Sequence, residues 1–257
     1  MIHIRDPWDL KRKILKYHLE KNKPAEKIYT GSANLSPSLI LSTEQGPRCD
    51  LFLGYKLVGM PGTPKIEPAM RRRMDAGSAI HKLYQNYIVD IYGGNRVSVE
   101  SEARIPDLYL RMFADGILDK RFGLEIKTAS ARVFDAVVRS GKPTRQHLDQ
   151  GLFLFKGFGW EACTYLYINM DALNDLETQI MLPADYVSEE YIQGELEKAD
   201  VEPIVATFEE ARWTYFEDRI RNRVTAPIDE LGEAPEKSEG SWCYRCPYAQ
   251  PCKEDVW

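Results

Sequence analysis

Phe113-Ala-Asp-Gly-Ile-Leu-Asp-Lys-Arg-Phe-Gly-Leu-Glu-Ile-Lys-Thr128 decides how the rest of the chain reads. It has the pattern of two strands joined by a tight turn at Lys120–Gly123, each apolar yet carrying acids that an ordinary sheet core excludes. Side chains alternate along a strand, so Glu125 and Lys127 share one face, Leu124 and Ile126 take the core face, and Asp115 and Asp119 share a face on the first strand. A register that brings the two polar sets together makes carboxylates and an ammonium converge. Carboxylates held that way suit Mg²⁺ or Mn²⁺, hard cations that prefer oxygen ligands, with the lysine as a fixed charge beside a metal-bound water. For a Glu-x-Lys taken alone, the alternative is a surface ion pair across a hairpin.

Working outward, the segment from Glu67 to Tyr92 predicts a long helix with Gly77, Ile80, Tyr84, Tyr87, Ile88 and Ile91 on its apolar side, ended by Gly93-Gly94. His81 lies within it. Arg96–Ile105 alternates as a strand, with Glu102 expected to face solvent, and Leu108–Leu118 opens the hairpin. Pro143–Phe158 predicts a helix that carries Gln150. Ala162–Asn169 is strand-like and Thr178–Leu182 less clearly so, while residues 186–223 read as helical and acidic. Ala226–Gly240, with Pro227, Pro235 and several Glu, reads as an exposed linker. The order of helix, strands, helix, strands predicts an α/β fold: a mixed central sheet flanked by helices.

Toward the N-terminus, Trp8–Lys21 has helical spacing and Pro24 stops it. Ser36-Pro37 starts a second helix with Ser as N-cap, and Gly46–Tyr55 contains a third helix start. The first 30 residues hold eight Lys/Arg against four Asp/Glu, and Arg71-Arg72-Arg73 adds a second basic cluster, whereas residues 185–239 are acidic. The formal net charge is −5, so any contact with nucleic acid depends on local basic stripes. At 257 residues with 44% hydrophobic and 28% charged content, the chain is long enough for one sizeable core or a core plus an appendage. No apolar run approaches a membrane span and no signal-peptide pattern opens the chain, so the expectation is a cytoplasmic protein with no membrane partner. There is no Gly-x4-Gly-Lys-Ser/Thr loop, so any ATP motor must belong to another chain.

Of the five cysteines, Cys163 sits mid-strand among apolar residues and reads as a buried small hydrophobe. Three others are packed into the tail as Cys243-x2-Cys246-x5-Cys252. In a reducing compartment such a group favours metal binding or redox chemistry over disulfides, with unligated free thiols as the plain alternative, and Cys49 supplies a fourth thiolate if the first helices pack against the tail. Ligand types alone do not separate zinc from an iron–sulfur cluster.

Asp-Gly … Leu-Glu-Ile-Lys-Thr resembles the PD-(D/E)XK nuclease superfamily, in particular its RecB-like exonucleases. Gly77-Ser-Ala-Ile-His81 matches that group's Gly-x-x-x-His motif. Gln150 stands where a Gln-x-x-x-Tyr motif is expected, but position 154 is Leu. One upstream cysteine followed by Cys-x2-Cys-x5-Cys is similar to the layout of iron–sulfur members such as the CRISPR-associated adaptation nuclease and AddB-type domains. The resemblance implies a restriction-endonuclease-like core with an iron–sulfur subdomain built from both ends of the chain. It divides the sequence into a helical segment at residues 1–65 that contributes Cys49, a nuclease core at 66–225, and a linker and cysteine tail at 226–257. It further implies a metal-dependent DNA exonuclease acting on single-stranded or frayed ends, in phage or prokaryotic recombination, replication or CRISPR adaptation, with a helicase, recombination or adaptation protein as possible partner. Asp115, Glu125, His81 and the Ile126 carbonyl would hold Mg²⁺ or Mn²⁺, and Lys127 and Gln150 would complete the catalytic set. Asp119 competes with Asp115. Cys49, Cys243, Cys246 and Cys252 would hold a 4Fe–4S cluster, with zinc the alternative. A catalytically weak DNA-end-binding module that works only within a partner complex is the rival function.

Overall fold

The computed structural model describes residues 34–41, 49–60, 68–171 and 201–236, together with 246, 248 and 252. The predictions at Trp8–Lys21, Thr178–Leu182 and Cys243 fall outside these residues. The described chain forms two compact units. One comprises residues 80–104 and 111–214; the other takes in 1–79, 105–110 and 215–257.

Before the sheet come the short helix α1 (Pro37–Ile40), α2 (Asp50–Leu57) and the long α3 (Pro68–Tyr92). The strands are β1 (Val97–Ile105), β2 (Leu110–Leu118), β3 (Phe122–Ala129), β4 (Ala162–Asn169) and β5 (Val201–Ala206). Helices α4 (Ala131–Ser140) and α5 (Arg145–Phe158) link β3 to β4, and α6 (Glu210–Asp218) follows β5. The five strands lie in the order β1-β2-β3-β4-β5. β2 and β3 are antiparallel, β3 and β4 parallel, and β4 and β5 antiparallel, so the sheet is mixed as the sequence predicts.

In the larger unit, β3 is the strand from which the site is built. It is enclosed between two neighbours and buries Glu125 on one face and Ile126 on the other. Parallel strands joined through helices are covered on both faces, which explains why an acid here is buried and not solvated. The β3–β4 crossover presents a dense apolar layer: Phe134 and Val137 of α4, Leu152, Phe153 and Phe155 of α5, and Tyr165, Tyr167 and Ile168 of β4. The Thr144 side chain caps α5 by accepting from the His147 amide at 3.3 Å. Phe153 meets Trp213 edge-on at 5.5 Å, and the buried Asp149 accepts from Arg145 and Arg212, fixing α5 to the segment after β5. At Gly151 the Tyr165 hydroxyl lies where a Cβ would stand, so only glycine lets the strand side chain run under the helix.

Three sequence expectations need correction. β5 occupies Val201–Ala206 within the stretch read as helical: β-branched Val201, Ile204 and Val205 fit an extended edge, where Pro203 is tolerated. β2 begins at Leu110, because Pro106–Leu108 forms a 3₁₀ turn ended by Tyr109 in the left-handed conformation (φ 52°). Within Ala226–Gly240, read as a linker, Pro227–Leu231 forms a π-helical turn.

In the other unit, Leu35 pairs in parallel with Leu110. Asp50, buried at the start of α2, is clamped by Arg219 at 2.6 Å and Arg223 at 2.7 Å. The Leu51 amide donates to the Glu236 carbonyl, and the Tyr248 ring packs on Phe52 and Tyr55. Glu236 and Tyr248 are thereby held against α2. Among the described residues, no helix is long and apolar enough to cross a membrane.

Candidate active site

All the residues of the candidate site except the cysteines belong to the larger unit. The β2–β3 ladder pairs Gly116 with Leu124, Ile117 with Gly123 and Leu118 with Phe122. Asp115 and Glu125 stand one step beyond the Gly116–Leu124 pair, so the two carboxylates meet at adjacent positions on neighbouring strands. The turn spans Asp119–Arg121, starting one residue and ending two residues earlier than the sequence suggests, with Asp119 and Lys120 in the left-handed region (φ 50° and 62°). Asp119 is half-exposed and takes both of its bonds from Arg96, at 3.0 and 2.6 Å. It closes the turn and leaves Asp115 as the acid beside Glu125.

Asp115 is held from three sides. Its Oδ1 lies 3.3 Å from Nδ1 of His81, and its Oδ2 accepts from the Ile126 amide at 2.7 Å. Its own carbonyl accepts from Gln85 Nε2 at 3.0 Å. Burial opposes its ionisation, but the His81 bond, the charges of His81 and Lys127 and the Ile126 amide outweigh burial and hold the carboxyl below its ordinary range. Glu125 behaves oppositely. Burial, reinforced by the negative Asp115, pushes it up to about 7 despite the attraction of Lys127. Burial also works against the Lys127 ammonium, yet the charges of Glu125 and Asp115 win and raise its pKa. Lys127 Nζ donates to Glu125 Oε2 and to Gln150 Oε1, both at 3.0 Å. The structure thus brings His81, Asp115, Glu125, Lys127 and Gln150 together, and Gln150 is not a free surface amide.

The sequence reading missed Gln85, His147 and Tyr167. Gln85 lies one turn after His81 on α3, is 1% exposed, and donates to Glu100 Oε1 at 2.7 Å as well as to Asp115. Its position four residues from His81 was the available signal: both reach the same strand from one helix face. Tyr167 is paired with Lys127 in the β3–β4 register; its hydroxyl accepts from the Thr144 amide at 3.1 Å and lies 2.6 Å from His147 Nδ1. Burial, and then the charge of Lys127, lower His147 to about 3, so the ring is neutral. Glu102, as expected, faces outward and accepts from Arg104 and Arg111.

Among the described residues, no group of three or more His, Cys, Asp and Glu side chains stands close enough to hold a metal ion. The donor chemistry nevertheless fits a hard divalent cation: two adjacent carboxylates, one pushed toward neutrality by its burial and by the negative charge beside it. Magnesium is commonly held by one or two carboxylates while keeping several waters, so a full protein cage is not required. In the smaller unit, Cys49 sits at the N-cap of α2 with Sγ 4.0 Å from the Glu236 carbonyl, and Tyr248, between Cys246 and Cys252, packs on the same helix.

The sequence matches no protein-family profile and no curated protein. Its fold is similar to that of several solved structures. An alkaline exonuclease from Laribacter hongkongensis superposes with a TM-score of 0.49 at 13% identity, over 80% of this chain and 94% of that one. The same enzyme in complex with dAMP gives 0.45 at 13% identity over 66% and 72%. The protein SSO0001 gives 0.44 at 15% over 93% and 94%, and a phage-related exonuclease from Haemophilus somnus 0.35 at 8% over 57% and 66%. These likenesses are too distant to carry an activity across.

Proposed function

We propose that this chain is a metal-dependent DNA exonuclease of the PD-(D/E)XK type that hydrolyses phosphodiester bonds at single-stranded or frayed ends. The observation that supports it is the convergence of Asp115, Glu125 and Lys127 on neighbouring strands, with Glu125 buried and its ionisation strongly opposed. Asp115, Glu125, His81 and the Ile126 carbonyl would hold Mg²⁺ or Mn²⁺. A divalent cation bound there supplies Lewis acidity toward a phosphoryl oxygen and water.

The chain's own residues do the rest. The Ile126 amide fixes the rotamer of Asp115, and the His81 ring leans on its other oxygen. Lys127, kept charged by the two acids, presents its ammonium to the attacking oxygen and to the charge that develops on the phosphoryl group. Gln150 steadies that ammonium from α5. The exonucleolytic mode and the DNA substrate are drawn from the motif resemblance.

We further propose that Cys49, Cys243, Cys246 and Cys252 hold a 4Fe–4S cluster. Packing of Tyr248, between Cys246 and Cys252, on the helix that Cys49 begins favours this set. A cluster bound there supplies a cross-link between α2 and the tail. Anaerobically purified protein with Mn²⁺ and end-labelled single strands tests the activity: the expected result is stepwise release of mononucleotides, slowed at least about a hundredfold by Asp115→Ala. Full activity in Asp115→Ala overturns the residue assignment. No degradation with any metal selects the DNA-end-binding module.

A further inference from the structure

β2 carries its catalytic candidate at one end of an open face. Buried Leu110, Met112 and Ala114 alternate with Arg111, Phe113 and Asp115, so these last three project to the same side of the sheet. Phe113 is 46% exposed although it lies mid-strand between two buried neighbours. The Arg111 guanidinium lies over its ring, 4.9 Å from the centroid. Glu102 of β1 holds that guanidinium at 2.8 Å and also binds Arg104, so two arginines converge on one acid beside the ring.

We infer that Phe113, with Arg111 stacked on it, is a nucleobase-stacking subsite for the substrate strand adjoining the bond to be cut. This rests on the nuclease reading of Asp115 and Glu125 and gives it a substrate contact. At about 3.3 Å of rise per residue, Phe113 stands about 7 Å and Arg111 about 13 Å along the strand from Asp115. That is the reach of one and two nucleotides of an extended single strand. Aromatic faces and guanidinium planes recognise any base by its π-face, and the two arginines meet the phosphates alongside. A solvent-facing ornament of the sheet needs none of this: an exposed mid-strand phenylalanine adds apolar surface, whereas a stacking platform requires a bare ring beside a fixed cation.

The test measures binding in EDTA, where no cleavage occurs, of a fluorescent single-stranded oligothymidylate and of the same strand with abasic sites in place of every base. Wild type is expected to prefer the base-bearing strand. Phe113→Ala should weaken that strand by roughly tenfold and bind the two strands alike, while Phe113→Trp keeps the preference. Circular dichroism and a thermal melt confirm that the variants fold, as expected at a half-exposed position. The inference is overturned if Phe113→Ala retains the wild-type preference, or if wild type binds neither strand. Should wild type show the Phe113-dependent preference but degrade nothing with Mn²⁺, the stacking site stands and the nuclease reading falls. Should it degrade DNA with no Phe113-dependent preference, the reverse holds.

Discussion

Glu125 and Asp115 are the same chemistry in two environments, and the difference lies in what each carboxylate can reach. Asp115 has an amide and an imidazole to offset its burial; Glu125 has one ammonium, shared with Gln150. The amide of Gln85 anchors the Asp115 backbone and the Glu100 carboxylate at once. Gln85→Leu keeps the volume but leaves both acceptors without that donor. Urea unfolding should show a loss of about 1–3 kcal/mol, and the displaced Asp115 should lower kcat more than it raises KM. His147 gives a pH prediction whose sign follows from its folded pKa of about 3, below the roughly 6.5 of an unfolded histidine. Above pH ~6.5 both states are neutral and the stabilisation is complete. As pH falls from there toward 3, the unfolded chain takes up a proton that the folded one refuses, and stability drops by about 1.4 kcal/mol per pH unit. Denaturant midpoints between pH 7 and 4 should show a flatter acid limb in His147→Gln than in wild type; parallel limbs would remove His147 from the account.

At the level of elements, the hairpin and the two helices that serve it were legible because alternation and helical spacing are local signals. Asp115 alternates with buried Met112, Ala114 and Gly116, and His81 falls at its motif spacing on a helix that the sequence delimits within a residue. What was hidden depends on partners distant in sequence. Tyr167 acquires its role from its register with Lys127 and from the Thr144 amide, neither of which β4 reveals by itself. The apolar side expected for α3 illustrates the same limit: Ile91 is 72% exposed, and the helix residue that becomes buried is Gln85, because it finds two acceptors on the strands beneath. β5 was missed because a proline and a glutamate mask a strand that needs bonding on one edge only. Close approach of α5 to β4 at Gly151 makes a sharper prediction. Gly151→Ala drives a methyl into the fully buried Tyr165 and should destabilise by about 1–3 kcal/mol. Gly151→Ala/Tyr165→Phe should recover part of that loss in the same thermal or urea series, since the obstructing oxygen is gone.

For the molecule as a whole, two chemistries are proposed in two units: oxygen ligands for a hard cation in one, thiolates for an iron–sulfur cluster in the other. The net charge of −5 is unhelpful for a nucleic-acid-binding protein, so phosphate contact has to rest on local basic stripes. If the cluster forms, anaerobic protein carries iron and visible absorbance, and Cys49→Ala loses both along with thermal stability. A colourless, iron-free wild type prepared anaerobically would rule the cluster out. The metal centre is tested most directly by titrating Mn²⁺ into the protein and following free Mn²⁺ by electron paramagnetic resonance. Wild type should withdraw Mn²⁺ from solution, and Asp115→Asn with Glu125→Gln should abolish that uptake while the protein remains folded. Equal uptake by wild type and the double variant would contradict the account.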